Sequence, residues 1–160
     1  MQPSGFIDSG DTVQDVPQPH QDPRLALRSA TERGGFVDGG WWPRSLDLAK
    51  ELPDVLLALF ASGYLIHRVT YNLVGWQQPP ATITVAGRRI SLGGVRGQSR
   101  HSITLVDTTN TNSATVNRLT LVVVPPDSDP WVADRALRMA GRDGLRLRPP
   151  EILVQARTGS

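Results

Sequence analysis

Side chains that can act as nucleophiles, acids, bases or metal ligands are scarce in this chain of 160 residues. There is no cysteine, which excludes disulfides, thiolate metal sites and cysteine nucleophiles. Of the histidines, His67 and His101 fall in the apolar-patterned part of the chain, and no H-x-H or H-E-x-x-H spacing joins them. A metal site is therefore not expected, and no cofactor is expected either. Ser99, either histidine and Asp107 would make a triad on paper, but no nucleophile elbow or oxyanion loop accompanies them. Glu32, Glu51 and Glu151 are scattered, so a carboxylate pair would have to draw on Asp38, which has no evident partner. The inventory leans away from an enzyme. Any catalytic centre would have to gather around Asp38, His67 or His101.

Binding chemistry is better represented. The run Asp38-Gly39-Gly40-Trp41-Trp42-Pro43-Arg44-Ser45 sets two indoles side by side between an acid and an arginine. Neighbouring side chains on an extended segment point to opposite faces, so the two rings cannot both enter one core. Either one ring is exposed beside Asp38 and Arg44, able to stack a base, a sugar or a partner side chain, or the protein covers both sides of the segment. Tyr71, Asn72 and Trp76 form a second polar-aromatic group, with His67 and Tyr71 on one strand face and Asn72 opposite. Their structural alternative is a satisfied buried polar pair with aromatic packing. The candidates for a ligand or partner site are thus Asp38, Trp41, Trp42, Arg44, Tyr71, Asn72 and Trp76.

Sixteen of the seventeen basic residues are Arg, and no acid occurs between Asp54 and Asp107. That stretch holds Arg68, Arg88, Arg89, Arg96 and Arg100 with His67 and His101. The guanidinium fork suits carboxylate and phosphate, so Arg88, Arg89, Arg96, Arg100 and His101 are anion-binding candidates. Gly93-Gly94-Val95-Arg96-Gly97 reads as a loop; it lacks the Lys-Ser/Thr and the following helix of a P-loop. The overall charge is +2, divided into −4 over residues 1–23 and +6 over the rest. A body charge of +6 falls short of a strongly basic nucleic-acid binder, and arginines spread over solvated faces are the preferred account of it over an anion-binding face.

These residues must be positioned by elements that the pattern outlines. Residues 1–23 are rich in Pro and Asp with little apolar surface, and read as a disordered acidic tail. Residues 24–143 read as one domain, and residues 144–160 as a flexible extension, or an edge strand at Ile152-Leu153-Val154. Arg24 to Arg28 and Phe36 to Trp42 alternate like strands. Ser45 is placed to cap a helix with Leu48, Leu52, Val55, Leu56 and Leu59 on one stripe, kinked at Pro53 and ended by Gly63. Ile66 to Trp76, Thr82 to Val85, Arg89 to Leu92, Ser102 to Asp107 and Arg118 to Val124 read as strands, with a tight hairpin at Ala86-Gly87-Arg88. Asp129-Pro130 opens a last helix that buries Val132, Ala133, Ala136, Leu137 and Ala140 and turns Arg135, Arg138 and Arg142 outward. The expected fold is α+β: a mostly antiparallel, curved sheet of six to seven strands, with a kinked helix after the second strand and a C-terminal helix.

The tryptophan motif, together with Glu51-Leu52-Pro53, Val69-Thr70-Tyr71-Asn72-Leu73 with Trp76, Gly87-Arg88-Arg89 and Val123-Val124-Pro125-Pro126-Asp127, resembles an actinobacterial family known as domain of unknown function 5994. The likeness covers roughly residues 24–140. It implies a compact intracellular domain and carries no activity. The expected function is a small, soluble, cytoplasmic, non-enzymatic binding or interaction domain for a protein or small molecule. Anion or nucleic-acid binding through an arginine-rich sheet face is the alternative. The longest strongly apolar run, Val55 to Ala61, is too short to span a bilayer, so no membrane partner is expected.

Overall fold

The computed structural model describes residues 24–28, 37–107, 117–142 and 146–158. The acidic tail expected over residues 1–23 and the Thr/Asn-rich stretch after Asp107 lie outside the described residues. In chain order the elements are β1 (Leu25–Leu27), β2 (Gly39–Trp41), α1 (Leu48–Ala61), β3 (Ile66–Asn72), β4 (Thr82–Val85), β5 (Arg88–Val95), β6 (Ser102–Asp107), β7 (Asn117–Val123), α2 (Pro130–Ala140) and α3 (Pro149–Thr158). Seven strands form one open sheet in the order β1-β2-β7-β6-β3-β5-β4. The pairs β2/β7 and β3/β5 are parallel and the other four antiparallel, so the α+β sheet is mixed.

The sheet divides two cores. On one face Leu48, Leu52, Val55, Leu56 and Leu59 of α1 meet Val69, Tyr71, Ile90, Leu92, Ile103, Leu105, Leu119 and Leu121. On the other, Val122 and Val124 meet Val132, Ala133, Ala136 and Ala140 of α2 and Ile152, Leu153 and Ala156 of α3. Strand alternation assigns the tryptophans accordingly. Trp41 is 2% exposed in the first core, while Trp42 packs against the second. Both sides of the segment are covered, the second of the two arrangements that adjacent indoles allow. Gly40 is required by the α2 contact, since a Cβ there would stand 2.9 Å from the Ala140 Cβ.

Several local expectations are revised. The second strand is shorter than Phe36 to Trp42 and covers only Gly39–Trp41. The cap of α1 is Asp47, which accepts from Lys50 N, while the Ser45 hydroxyl donates to Glu51 Oε2 at 2.8 Å. The helix passes through Pro53, which leaves the Ala49 carbonyl without its usual intrahelical donor. A bulge between Ile66 and Arg68 lets Ile66, Val69 and Tyr71 share the first core although their parity differs. His67 is at that bulge and exposed, so it does not share a face with Tyr71. The strand stops at Asn72 because its Oδ1 accepts from Val74 N at 2.8 Å, a side-chain turn that replaces the ladder. Gly93 and Gly94 belong to β5 rather than to a loop: a Cβ at Gly94 would overlap Leu73, and one at Gly93 would overlap the Arg68 guanidinium. Ile152-Leu153-Val154 is neither an edge strand nor a trailing coil but the middle of α3, with Ile152 and Leu153 buried. Its apolar residues are too few to distinguish strand from helix by spacing alone.

Candidate functional site

Four chain segments converge beside the C-terminal end of β7 and enclose a cleft of about 460 Å³. Ser45 and Leu46 come from the α1 approach, Gly75 to Gln77 from the turn after β3, Arg100 and His101 from the entry to β6, and Val123 with Pro125 to Asp127 from the exit of β7. Backbone bonds lock the segments together. Gln77 N donates to Leu46 O at 2.9 Å, Val123 N to His101 O at 2.8 Å and Val124 N to Trp41 O at 2.8 Å. Below the cleft the Trp76 ring stacks on Trp41, with centroids 5.6 Å apart and planes 18° from parallel. Trp76 Nε1 is buried without an acceptor among the described residues, and an unpaired buried donor is costly.

The segment that presents Arg100 and His101 is held from below. Asn72 Nδ2 donates to the Gln98 carbonyl. The Gln98 amide donates to Thr70 O and Ser102 O, and His101 N donates to Ser99 Oγ at 3.1 Å. Asn72 and Gln98 therefore position the cleft without entering it. His101 and Pro125 also line a smaller hollow of about 130 Å³ with Ser128, Val132, Leu153, Val154 and Arg157, so the two cavities adjoin and α3 closes the second. His101 is half-buried. Its pKa lies below the ordinary value, first because burial disfavours the cation, then because Arg100 and Arg157 repel a further positive charge. Neutral imidazole offers one donor and one acceptor. Arg100 and Asp127 are exposed at the cleft, and among the described residues neither forms an ion pair.

The residues singled out in the sequence separate into distinct roles. Trp76, Arg100 and His101 line the cleft. Trp41 and Tyr71 are core. Asp38 is buried and its Oδ2 accepts from Thr120 N at 2.9 Å, which ties β2 to β7. Trp42 donates from Nε1 to Pro125 O at 3.1 Å and carries the Arg24 guanidinium over its face at 3.6 Å. That guanidinium also donates to the carbonyls of Trp42 and Pro43, and its pKa is lowered by burial, then by Arg44, with Glu51 opposing. Arg44 is exposed and does not line the cleft, but borders a second hollow of about 600 Å³ over the start of α1 that meets the cleft at Ser45. Arg88 lies over the Phe60 ring at 5.8 Å, and Arg89, the next residue on the strand, faces the opposite side. Arg96 is exposed in the loop after β5. Leu46, Gln77, Pro125, Pro126, Asp127 and Arg157 were not anticipated. Pro125 and Pro126 read only as a strand stop, and the Val123 to Asp127 motif was the available signal.

The paper triad is not assembled. Ser99 Oγ meets the backbone of His101 rather than its ring, and Asp107 accepts from Leu65 N at the far end of β6. His67 lies at that far end too, since Ile66 pairs with Asp107, and six residues of strand separate it from His101 by about 20 Å. The cleft contains neither Asp38 nor His67. Among the described residues no group of three His, Asp or Glu is arranged to hold a metal ion, and no helix is long and apolar enough to cross a membrane.

An open mixed sheet, layered by α1 on one face and by α2 and α3 on part of the other, with a cleft at one end, defines a small α+β domain. The chain belongs to the family of unknown function DUF5994, whose model matches residues 24–140. The cleft's larger chamber lies within that span, and α3 lies beyond it. No curated protein and no solved structure matches the chain.

Proposed function

We propose that this is a non-enzymatic, cytoplasmic binding domain whose cleft takes a small ligand with an apolar, partly planar body and a carboxylate or phosphate group. One observation carries the reading: a cavity of about 460 Å³ combines an apolar lining of Leu46, Trp76, Val123, Pro125 and Pro126 with a half-buried His101 and with Arg100, which forms no ion pair among the described residues. Ligand sites are typically of this size, mostly apolar, with a few polar groups that fix orientation. Arg100 supplies the anion contact, and His101 and Asp127 supply the hydrogen bonds that set the ligand's direction. A thermal-shift screen of aromatic and aliphatic carboxylates and phosphate esters tests this. Hits are expected to raise the melting temperature of the parent chain and to lose their effect in Arg100→Ala. A screen without hits, or hits indifferent to Arg100→Ala, refutes the reading.

A second reading has its own observation. α2 packs on β1, β2 and β7 and α3 on β7, and the face turned to them over β6, β3, β5 and β4 is polar. Pairing sets Arg118, Val106, Arg68, Ser91 and Thr82 in one row across five strands, with Arg89 diagonal to Arg68. No acid lies on this face within these strands. The row suits a polyanion held through phosphates, without base stacking because aromatic rings are missing from these positions. Retention of a labelled oligonucleotide on filters at low salt, weakened by Arg68→Ala with Arg89→Ala, supports it; no retention refutes it.

A further inference from the structure

Helix α2 presents a stripe that neither core nor cleft uses. Trp131, Arg135 and Arg138 follow at i, i+4 and i+7, which places them on one side of the helix, and Arg142 continues the line past the Gly141 cap. Trp131 is 54% exposed, an uncommon position for the largest apolar side chain. Arg135, Arg138, Met139 and Arg142 border a hollow of about 210 Å³. Arg135 Nε is buried and has no acceptor among the described residues. Among the described residues the carboxylate beside the stripe is Asp134, which pairs with Arg138 at 2.7 Å, but both side chains are well exposed, and such a pair is weak enough to exchange for another partner.

Trp and Arg are the residues that most often dominate protein–protein binding, and here one Trp is followed by three Arg along one helical face. We infer that this stripe is a docking surface for an acidic amphipathic helix of another protein. An apolar residue of that helix would cover Trp131, and carboxylates one, two and three turns away would meet Arg135, Arg138 and Arg142. The distance from Trp131 to Arg138 along the axis, about 10 Å, equals two turns of such a helix. The inference is independent of the cleft.

The test uses the full chain and a fluorescein-labelled 18-residue helical peptide of Leu, Ala and Glu, with its Glu residues at i, i+4 and i+7, read by anisotropy. A Lys-for-Glu peptide and a 20-base-pair DNA serve as competitors. The Glu peptide is expected to bind and the Lys peptide not. Trp131→Ala is expected to weaken binding about tenfold or more, and Arg138→Glu to abolish it. Arg135→Met, which keeps the side-chain stem, should weaken it while leaving the melting temperature within a few degrees. Absence of binding, or binding indifferent to Trp131→Ala, overturns the inference. DNA that competes as well as the peptide, and is lost with the same arginines but not with Trp131, would reassign the stripe to nucleic acid. Tenfold tighter peptide binding in the quadruple variant Asp8→Asn, Asp11→Asn, Asp15→Asn, Asp22→Asn would reassign it to the chain's own N-terminal segment.

Discussion

Burial and two arginines hold the His101 pKa below its ordinary value, and its titration reports on the cleft. Its midpoint by NMR is expected below the ordinary value of about 6.5. Because the folded pKa is depressed, the unfolded chain binds more protons between the two values. The stability contribution is therefore fully present above about 6.5 and is lost as pH falls through the folded pKa. Arg157→Gln should raise the midpoint, and so should a bound anion, which stabilises imidazolium. A midpoint unmoved by Arg157→Gln would show that α3 does not approach His101 in solution. Asp38 answers a different question. Removing its acceptor strands Thr120 N, so Asp38→Ala should cost about 1–3 kcal/mol in urea unfolding, whereas Asp38→Asn keeps an oxygen there and should cost less. Equal losses would mean that charge, not the acceptor, matters. The sequence made Asp38 look like part of a binding platform because its neighbours are aromatic. Its actual partner is a backbone amide 82 residues away, and no local spacing encodes that.

At the scale of elements, the hairpin joining β4 and β5 carries a correctable defect. Val85 pairs with Arg88, so the turn is Ala86-Gly87, and both residues have positive φ, 53° and 77°. This geometry favours Asn-Gly, because a Cβ in the left-handed region costs about 1–2 kcal/mol and Asn offsets part of that with local hydrogen bonds. Ala86→Asn should raise stability by about 0.5–1 kcal/mol and leave ligand thermal shifts unchanged; a lower melting temperature would contradict the turn assignment. α1 was legible because five apolar residues repeat at helical spacing and glycine follows. β3 was only half legible, since a bulge at His67 shifts its parity and Asn72 ends it by a side-chain bond. α3 was illegible: its three buried residues, Ile152, Leu153 and Ala156, make too narrow a stripe to stand apart from a strand. Ile152→Ala should cost about 2–5 kcal/mol if α3 is part of the cooperative fold, and almost nothing if it detaches early.

The molecule as a whole is two cores that share one sheet, and neither face can be lost without exposing the other side of the same strands. A single calorimetric transition is therefore expected for the described elements, with Leu56→Ala in the first core and Ala136→Gly in the second lowering the same transition. Two separable transitions would show that α2 and α3 form an independent layer. Alternation and helical spacing foretold an α+β body. They could not foretell the cleft, because its walls come from four segments spread over residues 45–127 and meet only through the sheet order. That order also brings Trp41 and Trp76 into a nearly parallel stack, one ring anchored in the core and the other bordering the cleft. Two indoles so close and so aligned share their electronic excitation. Their joint signature in far-ultraviolet circular dichroism, where the strong indole band lies, depends on separation and tilt far more steeply than either ring's own signal does. The protein thus contains an optical ruler built into the cleft's underside. Occupancy of the cleft should register as a change in that exciton signal without any added label.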